Sequence, residues 1–282
     1  MMETTFNETE NELIDDCYNF INVLAIEAGR LVKEGFTKAK DVTYKTSNAD
    51  LVTEYDRRCE QLLIQGIQNK YPGHKFVAEE STSKLELTDD PTWVIDPIDG
   101  TTNYVHGIPL IAISIALVLK KQIVIGVIYN PLQEEYFKCR LGRGAYLNDE
   151  RIYCSKTETL EQSVYAHEVS MASVEWVREK NMKRVYKFAS IARGLRSLGS
   201  AALTLAYVAR GCIDGYQIDD LKPWDVAAGA LLIREAGGVV YKTDGTTFDF
   251  MNSYLVCAGT EKLCQQLIDG IKETNSWSIN FG

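Results

Sequence analysis

Apolar residues recur at three- and four-residue steps in the first part of the chain, which is the periodicity of an amphipathic helix. Between Asn11 and Gly35 this stripe consists of Leu13, Cys17, Phe20, Leu24, Ala28 and Leu31. We therefore expect a long first helix that ends at Gly35. A second helix is expected from about Tyr55 to Asn69, because the turn signal Tyr71-Pro72-Gly73 follows it. The charged segment Phe36–Asn48 between them is predicted to be a loop or a weak hairpin.

Short apolar runs follow and predict strands, and the second half of the chain alternates strand with helix patterns. The predicted strands are Lys75–Ala78, Thr92–Ile95, Ile111–Leu119, Ile123–Tyr129, Glu135–Cys139, Ser163–Glu168, Val239–Lys242 and Ser253–Ala258. The predicted later helices are Ser173–Phe188, Gly199–Ala209, Trp224–Ala236 and Thr260–Lys272. This order of elements predicts the α/β class, a layered protein in which helices sandwich two sheets.

Length and composition allow a large core. At 282 residues, 45% of them hydrophobic, the chain needs no disulfide to fold. We expect a single domain over residues 1–282, with two packed lobes at about 1–150 and 151–282. The net charge of -9 argues against nucleic acid or an anionic membrane as a partner. A small phosphorylated substrate would be repelled by the same surface unless bound cations reverse the local field.

Targeting signals are not evident in the sequence. Residues Met1–Glu12 are acidic and polar, unlike a secretory signal. The most apolar stretch, Ile108–Leu119, is shorter than the ~18 residues of a spanning helix and is predicted to be a buried strand. The seven cysteines are scattered, odd in number and without a Cys-x-x-Cys pair, which indicates reduced thiols and a cytoplasmic protein.

The segment from Trp93 to Asn103 carries the sharpest chemical signal. An apolar strand delivers Asp96 at its end, Pro97 begins a turn, and Asp99 follows three residues after Asp96. Two carboxylates this close raise one another's pKa values, and a hard divalent cation such as Mg²⁺ removes the conflict. Gly100 allows close backbone approach, and Thr101, Thr102 and Asn103 can open a short helix whose free N–H groups favour a phosphate. The alternative is an ordinary surface turn.

Three further acidic segments are ambiguous on their own. Glu79 and Glu80 directly follow a short predicted strand, and a glutamate pair of this kind usually lies on a solvated surface. Pro223-Trp224-Asp225 opens an apolar helix, as Pro and Asp often do. Asp50-Leu51-Val52-Thr53 could simply cap the second helix. Their combination with Asp96 and Asp99 points to a shared metal site.

Together these segments resemble the motif set of the inositol monophosphatase family, in the family's order and spacing. The resemblance rests on Asp50–Thr53, Glu79-Glu80-Ser81, Asp96–Asn103, Pro223–Gly229 and Glu235–Gly238 and covers nearly the whole chain. It implies the family's alternating α-β-α-β-α sandwich, a homodimer, inhibition by lithium, and hydrolysis of a small phosphomonoester assisted by two or three Mg²⁺ ions.

The resemblance also implies roles for individual residues. Glu79, Asp96 and the backbone carbonyl of Ile98 would hold one Mg²⁺, and Asp96, Asp99 and Asp225 a second, with a third, weaker ion near Glu79. Asp50 and Thr101 would orient a water molecule and help to deprotonate it.

The substrate would lie against the backbone amides of Gly100 and Thr101 and against Gly199-Ser200-Ala201, which could equally be a plain helix N-cap. Inositol-selective members of the family carry a glutamate seven residues before the metal aspartate, where this chain has Ile218. Inositol 1-phosphate therefore stands beside NADP(H) and fructose 1,6-bisphosphate as possible substrates. A metal-binding regulatory protein without turnover is a further alternative.

Overall fold

Two β-sheets organise the computed structural model, which describes residues 5–38, 42–44, 51–82, 85–170 and 175–278. The first sheet has seven strands in the order β3-β4-β5-β6-β7-β8-β9, antiparallel except for the parallel pair β3-β4. These strands are β3 (Lys75–Ala78), β4 (Thr92–Asp99), β5 (Ala112–Leu119), β6 (Gln122–Asn130), β7 (Glu135–Arg140), β8 (Ala145–Leu147) and β9 (Glu150–Ile152).

The second sheet has five strands in the order β11-β10-β12-β14-β13. Its strands are β10 (Val164–His167), β11 (Gly194–Arg196), β12 (Gly215–Leu221), β13 (Val239–Lys242) and β14 (Ser253–Ala258). A separate antiparallel pair consists of β1 (Val42–Tyr44) and β2 (Leu51–Thr53).

Helices form three layers around the two sheets. They are α1 (Glu8–Phe36), α2 (Glu54–Lys70), α3 (Thr101–His106), α4 (Glu175–Ala189), α5 (Ala201–Ala209), α6 (Pro223–Glu235) and α7 (Glu261–Asn275). α1 and α2 pack on the seven-stranded sheet, α5 and α6 contact both sheets, and α4 and α7 pack on the five-stranded sheet. The predicted layering of helices and sheets is confirmed, and the division into lobes near residue 150 stays a prediction.

The hydrophobic pattern explains which helix takes which layer. α1 buries one stripe that includes Cys17, Ile21 and Ala28, as expected for a helix with one face toward solvent. α5 and α6 are buried nearly all round, which suits helices covered on two sides. The apolar stretch that was predicted to be a buried strand forms β5, with every residue buried. No helix in the described ranges is long and apolar enough to cross a membrane.

Very short strands account for most differences from the sequence-based elements. β8, β9 and β11 were not predicted, because three residues are too few to show an alternating pattern. The predicted loop or hairpin at Phe36–Asn48 contains β1, while residues 39–41 and 45–50 lie outside the described part. All seven cysteines are free, and six of them are buried.

Candidate active site

β4 directs two aspartates into one cluster because its pairing with β5 is irregular. Side chains three positions apart in a regular strand point to opposite faces of a sheet. Asp96 pairs with Ser114 and Asp99 with Ala112, so β4 has one more residue than β5 between these pairs. Such an irregularity re-aims side chains. One carboxylate oxygen each of Asp96, Asp99 and Asp225 lie within 4.8 Å of one another.

Asp225 reaches the cluster from the first turn of α6. Its carboxylate accepts a hydrogen bond from the backbone N–H of Lys222 at 2.8 Å, which caps the helix. The hydroxyl of Ser114 donates to the carbonyl oxygen of Trp224 at 2.8 Å and ties β5 to the start of α6. Since Ser114 lies opposite Asp96, this contact brings Asp225 beside the carboxylates of β4.

Burial and mutual repulsion act on the three carboxylates of the cluster. Loss of hydration on burial, followed by repulsion among the carboxylates and Glu79, raises the pKa values of Asp96 and Asp225 well above their usual range. Burial also raises the pKa of Asp99 to about 6, although hydrogen bonds to its carboxylate oppose the change. Within the described ranges, no lysine or arginine forms an ion pair with these three aspartates. Oxygen donors that need an external cation fit Mg²⁺.

Glu79 and the carbonyl of Ile98 flank this cluster. β3 runs parallel to β4 with Ala78 opposite Ile95, and the N–H of Glu79 donates to the carbonyl of Ile95 at 3.1 Å. Glu79 therefore leaves β3 next to Asp96, and the two carboxyl groups interact. Ile98 is buried, and its N–H donates to Asp96 Oδ1 at 3.0 Å.

Thr101 stands between two acceptors. Its hydroxyl lies 3.1 Å from the carbonyl of Ile98 and 3.3 Å from Asp56 Oδ1, and its single hydrogen can be donated to only one of them. Asp56 is fully buried and also accepts from the N–H and hydroxyl of Thr53, the N-cap of α2. Asp56 is not among the site residues predicted from the sequence. Asp50, the predicted partner of Thr101, lies outside the described residues.

At Gly100 the backbone lies close to two other segments of the chain. Gly100 has φ +95°, and a Cβ there would lie 3.0 Å from the carbonyl oxygen of Gly199 and 3.1 Å from that of Leu110. Only glycine fits both requirements. α3 begins directly afterwards, with Thr102 exposed in its first turn.

The start of α5 is bound to the cluster through Asp99. Ser200 is the N-cap of α5, so the alternative of a helix cap is correct. Its hydroxyl also donates to Asp99 Oδ2, and the N–H of Ala202 donates to the same oxygen at 2.7 Å. Gly199 precedes it with φ +73°, and Ala201 is buried. These residues therefore orient a predicted metal ligand, and their contact with substrate stays a prediction.

β12 passes the same region with a different arrangement of charge. Ile218 is 5% exposed, so the residue seven positions before Asp225 is a buried apolar side chain. The neighbouring Asp219 accepts from Arg184 and Lys180, both at 2.7 Å. Although burial acts in the opposite direction, these two cations hold the pKa of Asp219 below its usual value. Asp220 has φ +63° and lies 3.8 Å from Lys180.

Comparisons with known proteins show the family of this chain. The sequence profile of the inositol monophosphatase family matches residues 14–275. Inositol monophosphatase 2 of Solanum lycopersicum is 40% identical over 255 residues, covering 89% of this chain and 96% of that protein. Inositol monophosphatase 2 of Rattus norvegicus is 37% identical over 288 residues, covering 98% and 97%.

A solved structure has the same fold over most of the chain. The extragenic suppressor protein suhB of Bartonella henselae superimposes with a TM-score of 0.85 at 34% identity, covering 90% of this chain and 98% of that one. The resemblance inferred from the sequence motifs is thus confirmed. The chain belongs to the inositol monophosphatase family and is a phosphoric monoester hydrolase.

Proposed function

We propose that this protein hydrolyses inositol 1-phosphate in a Mg²⁺-dependent reaction, with a water molecule as the nucleophile. The observation that carries the proposal is the convergence of Asp96, Asp99 and Asp225 within 4.8 Å, where no lysine or arginine of the described residues forms an ion pair with them. A protein that needed no metal would gain from replacing such a group with apolar or paired side chains.

The side chains available for the metal fit a site for two or three Mg²⁺ ions. Asp96, Asp99 and Asp225 would hold one ion, and Glu79, Asp96 and the carbonyl of Ile98 another, with a third ion near Glu79. When bound, the ions supply positive charge that activates water and neutralises the departing oxygen. The donors are carboxylate and carbonyl oxygens, which Mg²⁺ prefers over nitrogen or sulfur.

Thr101 would orient the attacking water. If its hydroxyl donates to Asp56, its lone pairs remain free to accept a hydrogen bond from that water. Asp50 would act beside it as the group that helps to remove the water's proton. Asp56, which is fixed by Thr53, thus assists the pair that the family resemblance implies.

The phosphate would be bound at the segment after β4. The backbone amides of Gly100, Thr101 and Thr102 lie in the tight turn that begins α3, at the edge of the acidic cluster. Amides at the start of a helix favour a phosphate oxygen. The alcohol part of the substrate would then lie toward Gly199–Ala201 and β12.

A second set of substrates is favoured by one observation on β12. Ile218 cannot accept a hydroxyl hydrogen, and Asp219 is already paired with Arg184 and Lys180. Position 218 therefore offers no carboxylate to bind the hydroxyl groups of a polyol. NADP(H) and fructose 1,6-bisphosphate remain candidate substrates with the same chemistry. A homodimer and inhibition by lithium are part of the same proposal and rest on the family, and a cytoplasmic location rests on the scattered cysteines.

Phosphate release with Mg²⁺ tests the substrate directly, by comparing kcat/KM for inositol 1-phosphate, NADP⁺, fructose 1,6-bisphosphate and a nucleotide 3′-phosphate. We expect inositol 1-phosphate to lead by about tenfold, or about 1.4 kcal/mol of transition-state preference. A lead by NADP⁺ or the bisphosphate would reassign the substrate and leave the metal chemistry intact. Protection from heat by Mg²⁺ without phosphate release from any ester would contradict the catalytic proposal.

A further inference from the structure

A buried glutamate outside the predicted site holds the segment that precedes α5. Glu168 follows β10 directly and is 6% exposed. Its Oε1 accepts from the N–H groups of Leu198 and Gly199 at 3.2 and 3.3 Å. Its Oε2 accepts from the N–H of Gly199 at 3.1 Å and from the hydroxyl of Ser197 at 3.0 Å. No lysine or arginine of the described residues pairs with it.

All these groups donate hydrogen bonds to Glu168, so the side chain at this position must accept several hydrogen bonds at once. An ionised carboxylate only accepts, so it satisfies every one of these groups at once. Burial raises the pKa of Glu168, while the same hydrogen bonds act to lower it. A glutamine would have the same shape, but in either orientation of its amide it would turn the NH₂ group toward the N–H of Gly199.

The opposite side of the same segment faces the acidic cluster. The side chain of Asn103 donates to the carbonyl of Leu198 at 2.7 Å and fills the space that a Cβ on Gly199 would need. Immediately afterwards, the hydroxyl of Ser200 and the N–H of Ala202 bind Asp99 Oδ2. Residues 197–200 are therefore held between Glu168 on one side and Asn103 on the other.

We propose that Glu168 is a positioning residue that holds residues 197–199 and thereby keeps Ser200 and Ala202 on the carboxylate of Asp99. This role rests on the proposed function, because it matters for Mg²⁺ only if Asp99 binds the ion. Groups that orient metal ligands are part of a metal site even though they never touch the ion. Glu168 acts one contact further out, through the backbone that carries Ser200.

Glu168→Gln and a matched control, Asp214→Asn, separate this role from general stability. Asp214 is also buried in the five-stranded sheet region and accepts from a backbone N–H, that of Val164, at 2.6 Å. It makes no described hydrogen bond to residues 197–202. The first measurement is Mg²⁺ affinity by titration calorimetry of the metal-free proteins, which requires no turnover.

We expect Glu168→Gln to weaken Mg²⁺ binding about tenfold and to lower kcat/KM for inositol 1-phosphate to a similar extent. Asp214→Asn lowers only the thermal midpoint and leaves Mg²⁺ affinity within about twofold of the wild type. Ser197→Ala removes one of the contacts and gives a smaller change in the same direction as Glu168→Gln, which keeps the test informative if the latter folds poorly.

Three outcomes would overturn the role of Glu168. If both Glu168→Gln and Ser197→Ala bind Mg²⁺ with wild-type affinity, the role of Glu168 is overturned and the proposed function still stands. An equal loss of affinity in Asp214→Asn would assign the effect to the stability of the sheet. A wild-type protein that binds no Mg²⁺ would overturn the proposed function together with this role.

Discussion

The ends of β4 and β12 both place aspartates in buried surroundings, but the two strands differ in whether positively charged side chains lie beside these aspartates. At β4, Asp96 and Asp99 meet Asp225 with no lysine or arginine of the described residues paired to them, and burial raises their pKa values. At β12, Asp219 lies between Arg184 and Lys180, and its pKa is lowered.

This difference shows why burial of an acid does not by itself indicate a metal site. The charge of Asp219 is compensated within the chain, so β12 gains nothing from an added cation. The β4 cluster remains repulsive until a cation arrives or protons bind. Among the residues that the structure describes, the lack of a paired cation therefore distinguishes the candidate metal site from a structural ion pair.

The largest expected effect comes from removing one charge of the β4 cluster. Asp99→Asn should lower phosphate release by more than about a hundredfold, because even mutations beyond the ligands of a metal cost about 10–100-fold. The fold should remain intact, and the metal-free variant should be more heat-stable than the metal-free wild type, because one repulsive charge is gone. Thermal unfolding in EDTA and phosphate release at saturating Mg²⁺ measure the two effects.

Asp214→Asn serves as the control for Asp99→Asn, since it changes an equally buried aspartate away from the cluster. Near-normal turnover of Asp99→Asn at saturating Mg²⁺ would contradict the metal assignment.

The next effect concerns the β12 pair. Arg184→Met should reduce the free energy of unfolding by about 2 kcal/mol. This is less than the loss of about 3–5 kcal/mol expected when a buried ion pair is fully broken, because Lys180 still faces Asp219. Urea unfolding measures the loss. Asp219→Asn should cost less in this variant than in the wild type, because the ion pair with Arg184 is already lost. A destabilisation that Mg²⁺ reverses would contradict the contrast between the two strands.

A smaller effect is expected in the pH dependence of stability. An acid whose pKa is raised on folding stabilises the folded protein below its unfolded value, and this contribution is lost as the pH rises through the folded pKa. For Asp99 the window runs from about 3.8 to about 6. Relative to the protein in Mg²⁺, the protein in EDTA should therefore lose thermal stability from pH 4 to pH 7, by about 3 °C for each kcal/mol.

The difference between the EDTA and Mg²⁺ curves is the quantity to compare. Burial lowers the pKa of His167 to about 4, so its contribution is lost as the pH falls, in both conditions alike. A difference in midpoint that stays constant with pH would contradict the raised pKa values of the cluster.

The sequence predicted the parts of the site that lie in one short segment or in a distinctive motif. Asp96 and Asp99 are three residues apart after an apolar strand, and Asp225 follows a Pro-Trp helix start. The order of the layers was also predictable, because α1 shows a stripe whereas α5 is apolar nearly all round.

Other features depend on contacts between distant segments and leave little trace in the sequence. Glu168 and Gly199 are 31 residues apart, and Arg184 and Asp219 are 35 apart. A single acid after a strand, such as Glu168, does not indicate what it will bind. Thr53 and Asp56 have the spacing of a capping box, which signals a helix start but not the contact with Thr101.

The central claim is that the β4 cluster exchanges protons for Mg²⁺, and titration calorimetry of the metal-free protein in buffers of different ionisation enthalpy tests it most directly. Metal ions bind deprotonated ligands, so groups with raised pKa values must release protons. We predict Mg²⁺ binding with proton release at pH 6 that decreases toward pH 8, and loss of both in Asp225→Asn. Mg²⁺ binding without any proton release, or equal binding by Asp225→Asn, would contradict the account.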